Sequence, residues 1–305
     1  MTPSRTARSD PHDSPDAPAA PATVPCASPG RPVRGLLAAC HPAPAAAVTV
    51  LTAALVAAVG GHDLLDGATT VCAVAAGQLS IGWCNDRADL VRDRTARRAD
   101  KPLTTGLTSP RAVATAAGAA LAVCVPLSLA CGLLAGCVHL VSVAAAWAYN
   151  LRLKRTIASW VPYALAFGLL PAFVTLGLAG APWPPLWLTT AAALLGTGAH
   201  FANVLPDIDH DLAAGVNGLP QRLGGRRSGP VAAFLVLAAS LVLVFAPAGP
   251  VSASGRAVAA VTTLLCVVAV ARPSGRAGGR VPFLATMGIA GIDVTQLLLR
   301  GAELG

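Results

Sequence analysis

The sequence is poor in charge and in aromatic rings. Of 305 residues only 12% are charged and 4% are Phe, Trp or Tyr, against about 25% charged in an ordinary soluble domain. So little charge argues against a soluble enzyme, and 54% hydrophobic residues argue against a wholly disordered chain. Metal or disulfide patterns are missing too. The eight cysteines (Cys26, Cys40, Cys72, Cys84, Cys124, Cys131, Cys137, Cys266) form no C-x-x-C pair and no His–Cys metal spacing. Most lie inside apolar runs, where a thiol behaves as a small hydrophobe. What remains is an all-α integral membrane protein.

Residues 1–32 are rich in Pro, Ala, Ser and Asp and contain no signal-peptide core. That composition predicts a disordered cytoplasmic tail, followed by one transmembrane domain over 33–305. A helix needs about 20 apolar residues to cross the hydrocarbon layer. Nine such segments are expected, at 35–60, 64–86, 111–129, 132–150, 158–179, 185–206, 230–248, 255–271 and 281–299. With the N-terminus inside, 20 of the 22 Lys and Arg residues fall on inner connections, and only Arg256 and Arg300 lie outside. Topology thus accounts for the net charge of +8, and nucleic-acid binding gains no support. Internal prolines (Pro42, Pro44, Pro126, Pro162, Pro171) predict kinks.

Acid is scarce, so its placement is informative. Seven of the 14 acidic residues cluster in two inner connections: Asp86, Asp89, Asp93 and Asp100, then Asp207, Asp209 and Asp211. On a helix, Asn85, Asp89 and Asp93 share one face at i, i+4 and i+8, and Asn203, Asp207 and Asp211 repeat that spacing. Carboxylates on one face repel unless cations neutralise them. Hard cations such as Mg²⁺ take oxygen ligands, typically one or two carboxylates with substrate phosphates and water. Two facing Asn/Asp surfaces can therefore hold Mg²⁺ ions bridging to a diphosphate. The plain alternative is a pair of solvated helix ends whose charges pair with local arginines. Recurrence of one spacing at the same depth favours the metal reading.

The same connections supply cations. Lys101 follows the first cluster in Asp100-Lys101-Pro102-Leu103-Thr104-Thr105-Gly106, and Lys154 lies in Tyr149-Asn150-Leu151-Arg152-Leu153-Lys154-Arg155. Either lysine can approach phosphate as a point charge or simply orient the chain. Trp83, Trp147, Tyr149, Trp160, Tyr163 and Phe201 lie near inner helix ends, where anchoring and packing explain them more readily than shielding of a positive charge by their ring faces. His139 and His200 read as core residues, and Asp293 as an intramembrane carboxylate that is either a site or structural.

Residues 85–93 match the N-D-x-x-D-x-x-x-D signature of the UbiA superfamily of intramembrane prenyltransferases, which the chain resembles over about 35–299. Arg98 to Gly106 is similar to the family's R-P-D-R-P-L-P-S-G segment. Tyr149 to Arg155 is similar to its Y-x-x-x-L-K-R connection, and Asp207, Asp211, Gly215 and Leu223-Gly224 resemble its second signature. The resemblance implies nine helices around a central cavity open to lipid. It implies Mg²⁺ held by Asn85, Asp86, Asp89, Asp93, Asn203, Asp207 and Asp211. It further implies a prenyl diphosphate donor held by Lys101, Lys154, Asn85 and Asn203, with catalysis carried by Asp89, Asp93, Asp207 and Asp211. Pro206 stands where many relatives carry Arg, and Lys101 replaces a commoner Arg, losing a bidentate fork.

The implied reaction is transfer of a prenyl group to a hydrophobic or aromatic acceptor, at the cytoplasmic face of a plasma membrane. A terpene cyclase that traps the cation without an acceptor is the first alternative. A transport or non-catalytic bundle is the second, although transporter sites usually lie at mid-membrane.

Overall fold

The described residues, 31–271 and 280–301 of a computed structural model, fold into thirteen α-helices and short 3₁₀ turns, with no strand among them. Most of the expected tail, and the arginines Arg272 and Arg276, lie outside the described residues. In chain order the helices are α1 (Arg31–Ala39), α2 (Pro42–Val59), α3 (Leu64–Thr95), α4 (Pro110–Ala130) and α5 (Leu133–Leu151). There follow α6 (Val161–Gly168), α7 (Leu170–Leu176), α8 (Leu186–Val204), α9 (Ile208–Ala213) and α10 (Leu219–Leu223). The last three are α11 (Gly225–Phe245), α12 (Ala253–Ala271) and α13 (Arg280–Gly301).

Eight segments of the described residues are long and apolar enough to cross a membrane: α2, α3, α4, α5, Ile157–Leu176, Leu186–Ala213, α11 and α12. The last expected segment falls on α13, whose apolar stretch Leu284–Leu299 is shorter. Local signals set several boundaries. The Asp63 carboxylate accepts from the Asp66 N–H at 2.8 Å at the start of α3, and Ser109 Oγ accepts from the Ala112 N–H at 3.1 Å at the start of α4. The narrow break expected near residues 129–132 is real. Gly132, at φ 108°, separates α4 from α5 in a conformation that other residues rarely adopt.

Three expectations need correction. The first segment, 35–60, is two helices, because Pro42 disfavours a helical residue before it and His41 turns left-handed at φ 55°. The second segment does not stop at residue 86, since α3 continues to Thr95. Its 32 residues rise roughly 48 Å, well beyond the ~30 Å hydrocarbon layer, so its charged last turns project at one end. The prolines act mostly as helix starts, with the breaks falling just before Pro42 and Pro171. Pro42, Pro44, Pro162 and Pro171 sit in first turns, where the missing N–H costs nothing. Of the five, only Pro126 lies well inside a helix, and Pro230 in α11 is an addition.

Helix α3 packs on α2, α4 and α5; α8 packs on α6 and α11; α12 and α13 pack on α11, and α13 returns to α2. Leu55, Val174, Leu188, Leu243 and Leu297 join four of these helices and α7 in one core. Phe173 anchors a second with Ala73, Val74 and Ala135. Leu133, Phe234, Phe245 and Leu264 point outward, as a lipid-facing surface allows. Small residues bring backbones close. At Gly82 an added Cβ would lie 2.0 Å from the Cys40 carbonyl oxygen. The turn between α1 and α2 therefore rests directly on α3, and Trp83 Nε1 fastens it by donating to Leu36 O at 2.9 Å.

Substituting Gly82→Ala should lift that turn from α3 and cost about 1–3 kcal/mol. Thermal unfolding in detergent checks this, and an unchanged melting temperature would show that the contact yields freely.

Candidate active site

The projecting turns of α3 carry the first acidic motif, and three of its carboxylates are almost fully buried: Asp86 is 2% exposed, Asp89 3% and Asp93 3%. Charges so enclosed persist only when paired. Lys101 Nζ donates to Asp86 Oδ1 at 2.7 Å, and His41 Nε2 lies 2.9 Å from the same oxygen. Lys154 Nζ donates to Asp89 Oδ1, while Arg92 Nη2 donates to Asp89 Oδ2 at 2.7 Å. Asp93 Oδ1 lies 3.6 Å from Arg92 Nε. The sequence has only two lysines, Lys101 and Lys154, and both are bound to this motif. Burial pulls the Lys154 ammonium below its usual pKa range, with Asp89 opposing. In the connecting loop, Arg98 donates two hydrogen bonds to Asp100, both 2.8 Å, and holds that carboxyl down at about 2.

The second motif is built differently. The regular i, i+4, i+8 face expected for Asn203, Asp207 and Asp211 is interrupted. Pro206 lies in a 3₁₀ turn, Leu205–Asp207, that separates α8 from the short α9. Asn203 and Asp207 are exposed, and Asp211 is half-buried. Asp211 Oδ2 accepts from Gln221 Nε2 at 2.9 Å, and its Oδ1 lies 3.9 Å from Arg92 Nη1. Arg98 feels the charges of both Asp207 and Asp93. The two motifs thus occupy the same end of the bundle and meet at Arg92. Asp86, Asp89, Asp93, Lys101, Lys154 and Asp211 are brought together; Asn203 and Asp207 stand at the open edge.

The chain matches the UbiA prenyltransferase family over residues 46–283. It belongs to that family. No curated protein sequence gives a significant match. Among solved structures, a UbiA homologue from Archaeoglobus fulgidus bound to DMAPP and Mg²⁺ superposes with a TM-score of 0.67 at 18% identity, covering 89% of this chain and all (100%) of that one. The Archaeoglobus homologue bound to GPP and Mg²⁺ gives 0.66 at 18%, covering 87% and 99%. The apo UbiA homologue from Aeropyrum pernix K1 gives 0.61 at 18%, covering 81% and 96%. At such identities the likeness speaks for the fold.

Two residues of this UbiA-family site escape a reading by sequence pattern. His41 sits inside what looks like one apolar run, yet its Nε2 also lies 3.2 Å from Asn85 Nδ2 and 3.4 Å from Lys101 Nζ. Its place immediately before a proline was the available signal. Arg92 looks like one more orienting arginine, and only its i, i+3 relation to Asp89 hinted at more. Other expectations hold as placements. His139 and His200 are buried, stacking on Phe173 and packing against Tyr149 and Tyr163. Seven of the eight cysteines are described, and all seven are free thiols. Asp293 is buried in α13, beside Ser240 of α11.

The donor set suits a hard divalent cation, because it consists of carboxylate and amide oxygens. One of them, Asp86 Oδ2, is buried without a hydrogen-bond partner. Among the described residues no three His, Cys, Asp or Glu side chains are already gathered as a metal cage. Arg92, Lys101 and Lys154 fill the intervening positions instead. A separate narrow apolar cleft within the bundle is lined by Leu51, Leu55, Phe167, Leu170, Leu195 and Leu297.

Removing Lys154 should leave Asp89 buried against Arg92 alone. We expect Lys154→Met to lower stability by about 1.5–3 kcal/mol and the double variant Lys154→Met, Asp89→Leu to recover part of it. Unfolding of both in detergent tests this; equal losses in the two would mean that Asp89 left without Lys154 carries no cost.

Proposed function

We propose that this chain is a Mg²⁺-dependent intramembrane prenyltransferase. It moves a prenyl group from an allylic prenyl diphosphate to an aromatic acceptor and releases diphosphate. The observation that carries this reading is the meeting of both acidic motifs at one end of the bundle, with the only two lysines bound to the first. Family membership supports it, as do the DMAPP, GPP and Mg²⁺ bound by the Archaeoglobus homologue. In this reading Asp89, Asp93, Asp207 and Asp211, with Asn85, Asp86 and Asn203, hold the metal. Lys101 and Lys154, with Asn85 and Asn203, hold the diphosphate.

Bound Mg²⁺ supplies positive charge against the negative charge that develops on the leaving group. The protein's own contribution comes from Lys101 and Lys154, point charges on flexible stems that can turn from carboxylate to phosphate. The C1–O bond breaks with its electron pair on diphosphate, leaving an allylic cation. An acceptor ring carbon bonds to C1, and the ring gives up a proton. The apolar side chains of the bundle, among them Leu51, Phe167 and Leu195, would have to part around an isoprenoid tail, and they would then keep bulk water from the cation. We read the orientation from the expected topology, which puts 20 of the 22 basic residues on inner connections. The inner side, with the acidic site, faces the cytoplasm of a plasma membrane.

The test is diphosphate release from geranyl, farnesyl and geranylgeranyl diphosphates, with and without Mg²⁺ and aromatic acids. Asp89→Asn and Asp211→Asn should each lower turnover by about two orders of magnitude. A lipid product with the mass of acceptor plus prenyl group supports transfer, whereas an acceptor-free terpene would make the chain a cyclase. No release from any donor would sink the reading.

A further inference from the structure

Arg92 is unlike the arginines around it. Arg87, Arg94 and Arg97 are exposed and make no ion pair among the described residues. The Arg92 side chain is only 20% exposed, and its three nitrogens face three carboxylates: Nη2 to Asp89 at 2.7 Å, Nε to Asp93 at 3.6 Å and Nη1 to Asp211 at 3.9 Å. Two of those acids come from the first motif and one from the second. A planar guanidinium with donors on every edge is the side chain best suited to such a position. It occupies the space where oxygens of both motifs would have to converge on a divalent ion.

We infer that Arg92 is a tethered counter-cation that sets how tightly the site takes up its divalent metal. The inference rests on the metal reading proposed above. With metal absent, the guanidinium neutralises Asp89, Asp93 and Asp211 and holds the second motif against the first. A divalent ion competes for the same oxygens, so Arg92 must release them as the ion enters. Part of the ion's intrinsic affinity is spent on that exchange. The acidic end consequently stays assembled without metal and binds metal less tightly than seven oxygen-bearing side chains would by themselves. Arg92 is a positioning residue in this scheme, acting through the carboxylates it holds.

The experiment measures Mn²⁺ binding to the purified full chain in detergent, without donor, from the loss of the free-ion paramagnetic resonance signal. Arg92→Gln should tighten Mn²⁺ binding by about tenfold, and Arg92→Lys, which keeps the charge, should stay close to the wild type. The melting temperature of Arg92→Gln should fall in the absence of metal and recover when Mn²⁺ is added. A folded Arg92→Gln variant with an unchanged or weaker constant overturns the inference. A second readout needs no variant: saturating Mn²⁺ should speed phenylglyoxal labelling of Arg92 in the wild type, and unaltered labelling would count against release. Mn²⁺ binding to the wild type with no response in Arg92→Gln removes this inference alone. Failure of both the wild type and Arg92→Gln to bind Mn²⁺, with or without added prenyl diphosphate, removes the metal reading as well.

Discussion

Three carboxylates buried within two turns of one helix are the constraint around which the acidic end of the molecule is arranged. Buried charge is tolerated only with partners, and α3 cannot supply them all. Lys101 comes from the loop that follows, Lys154 from the 3₁₀ turn after α5, and His41 from the turn between α1 and α2. Each contact orders a connection that would otherwise be free to vary. The acids therefore organise three loops at once, and each loop brings a polar side chain to the same place.

The bundle beneath follows a different logic. Its helices associate through small residues and close backbone approach, as at Gly82 and at Gly196, where an added Cβ would lie 2.5 Å from the Tyr163 carbonyl oxygen. Polar contacts at the other end of α3 are modest: His62 Nε2 sits 3.1 Å from Val174 O, near a small cavity that includes Asp66 and Thr70. Among the described residues charge pairing is thus concentrated at one end, and Asp293, buried in the interior, makes no ion pair there.

Much of this was legible in the sequence, for physical reasons that also mark where legibility stops. Long apolar runs announce spans because hydrocarbon tolerates little else, and the Asp and Asn residues of both motifs stand out against a chain with so few acids. Hydropathy misplaces the end of α3 because the helix continues after the residues turn polar, supported by its own backbone bonds. The split between α1 and α2 is signalled by Pro42, but where the turn settles is not, since Cys40 O lies against Gly82, a residue far off in the chain. His41 reaches Asp86 only because of that split. Arg92 was hidden by its company, since counting charges treats every arginine alike. Asp211 and Arg92 are brought together by tertiary packing that spacing alone does not encode.

The Pro206 turn gives the two motifs different mechanical standing. The first is carried on a single 32-residue rod that runs the depth of the bundle. The second is carried on a short helix behind a break, held by buried Ile208, the Gln221–Asp211 bond and Arg92. One jaw is fixed and the other is jointed. Small changes in the tilt or depth of α8, such as a thicker or thinner bilayer would impose, can be absorbed at the joint before they reach Asp211. The placement of the second motif is in this way less rigidly tied to its span than that of the first.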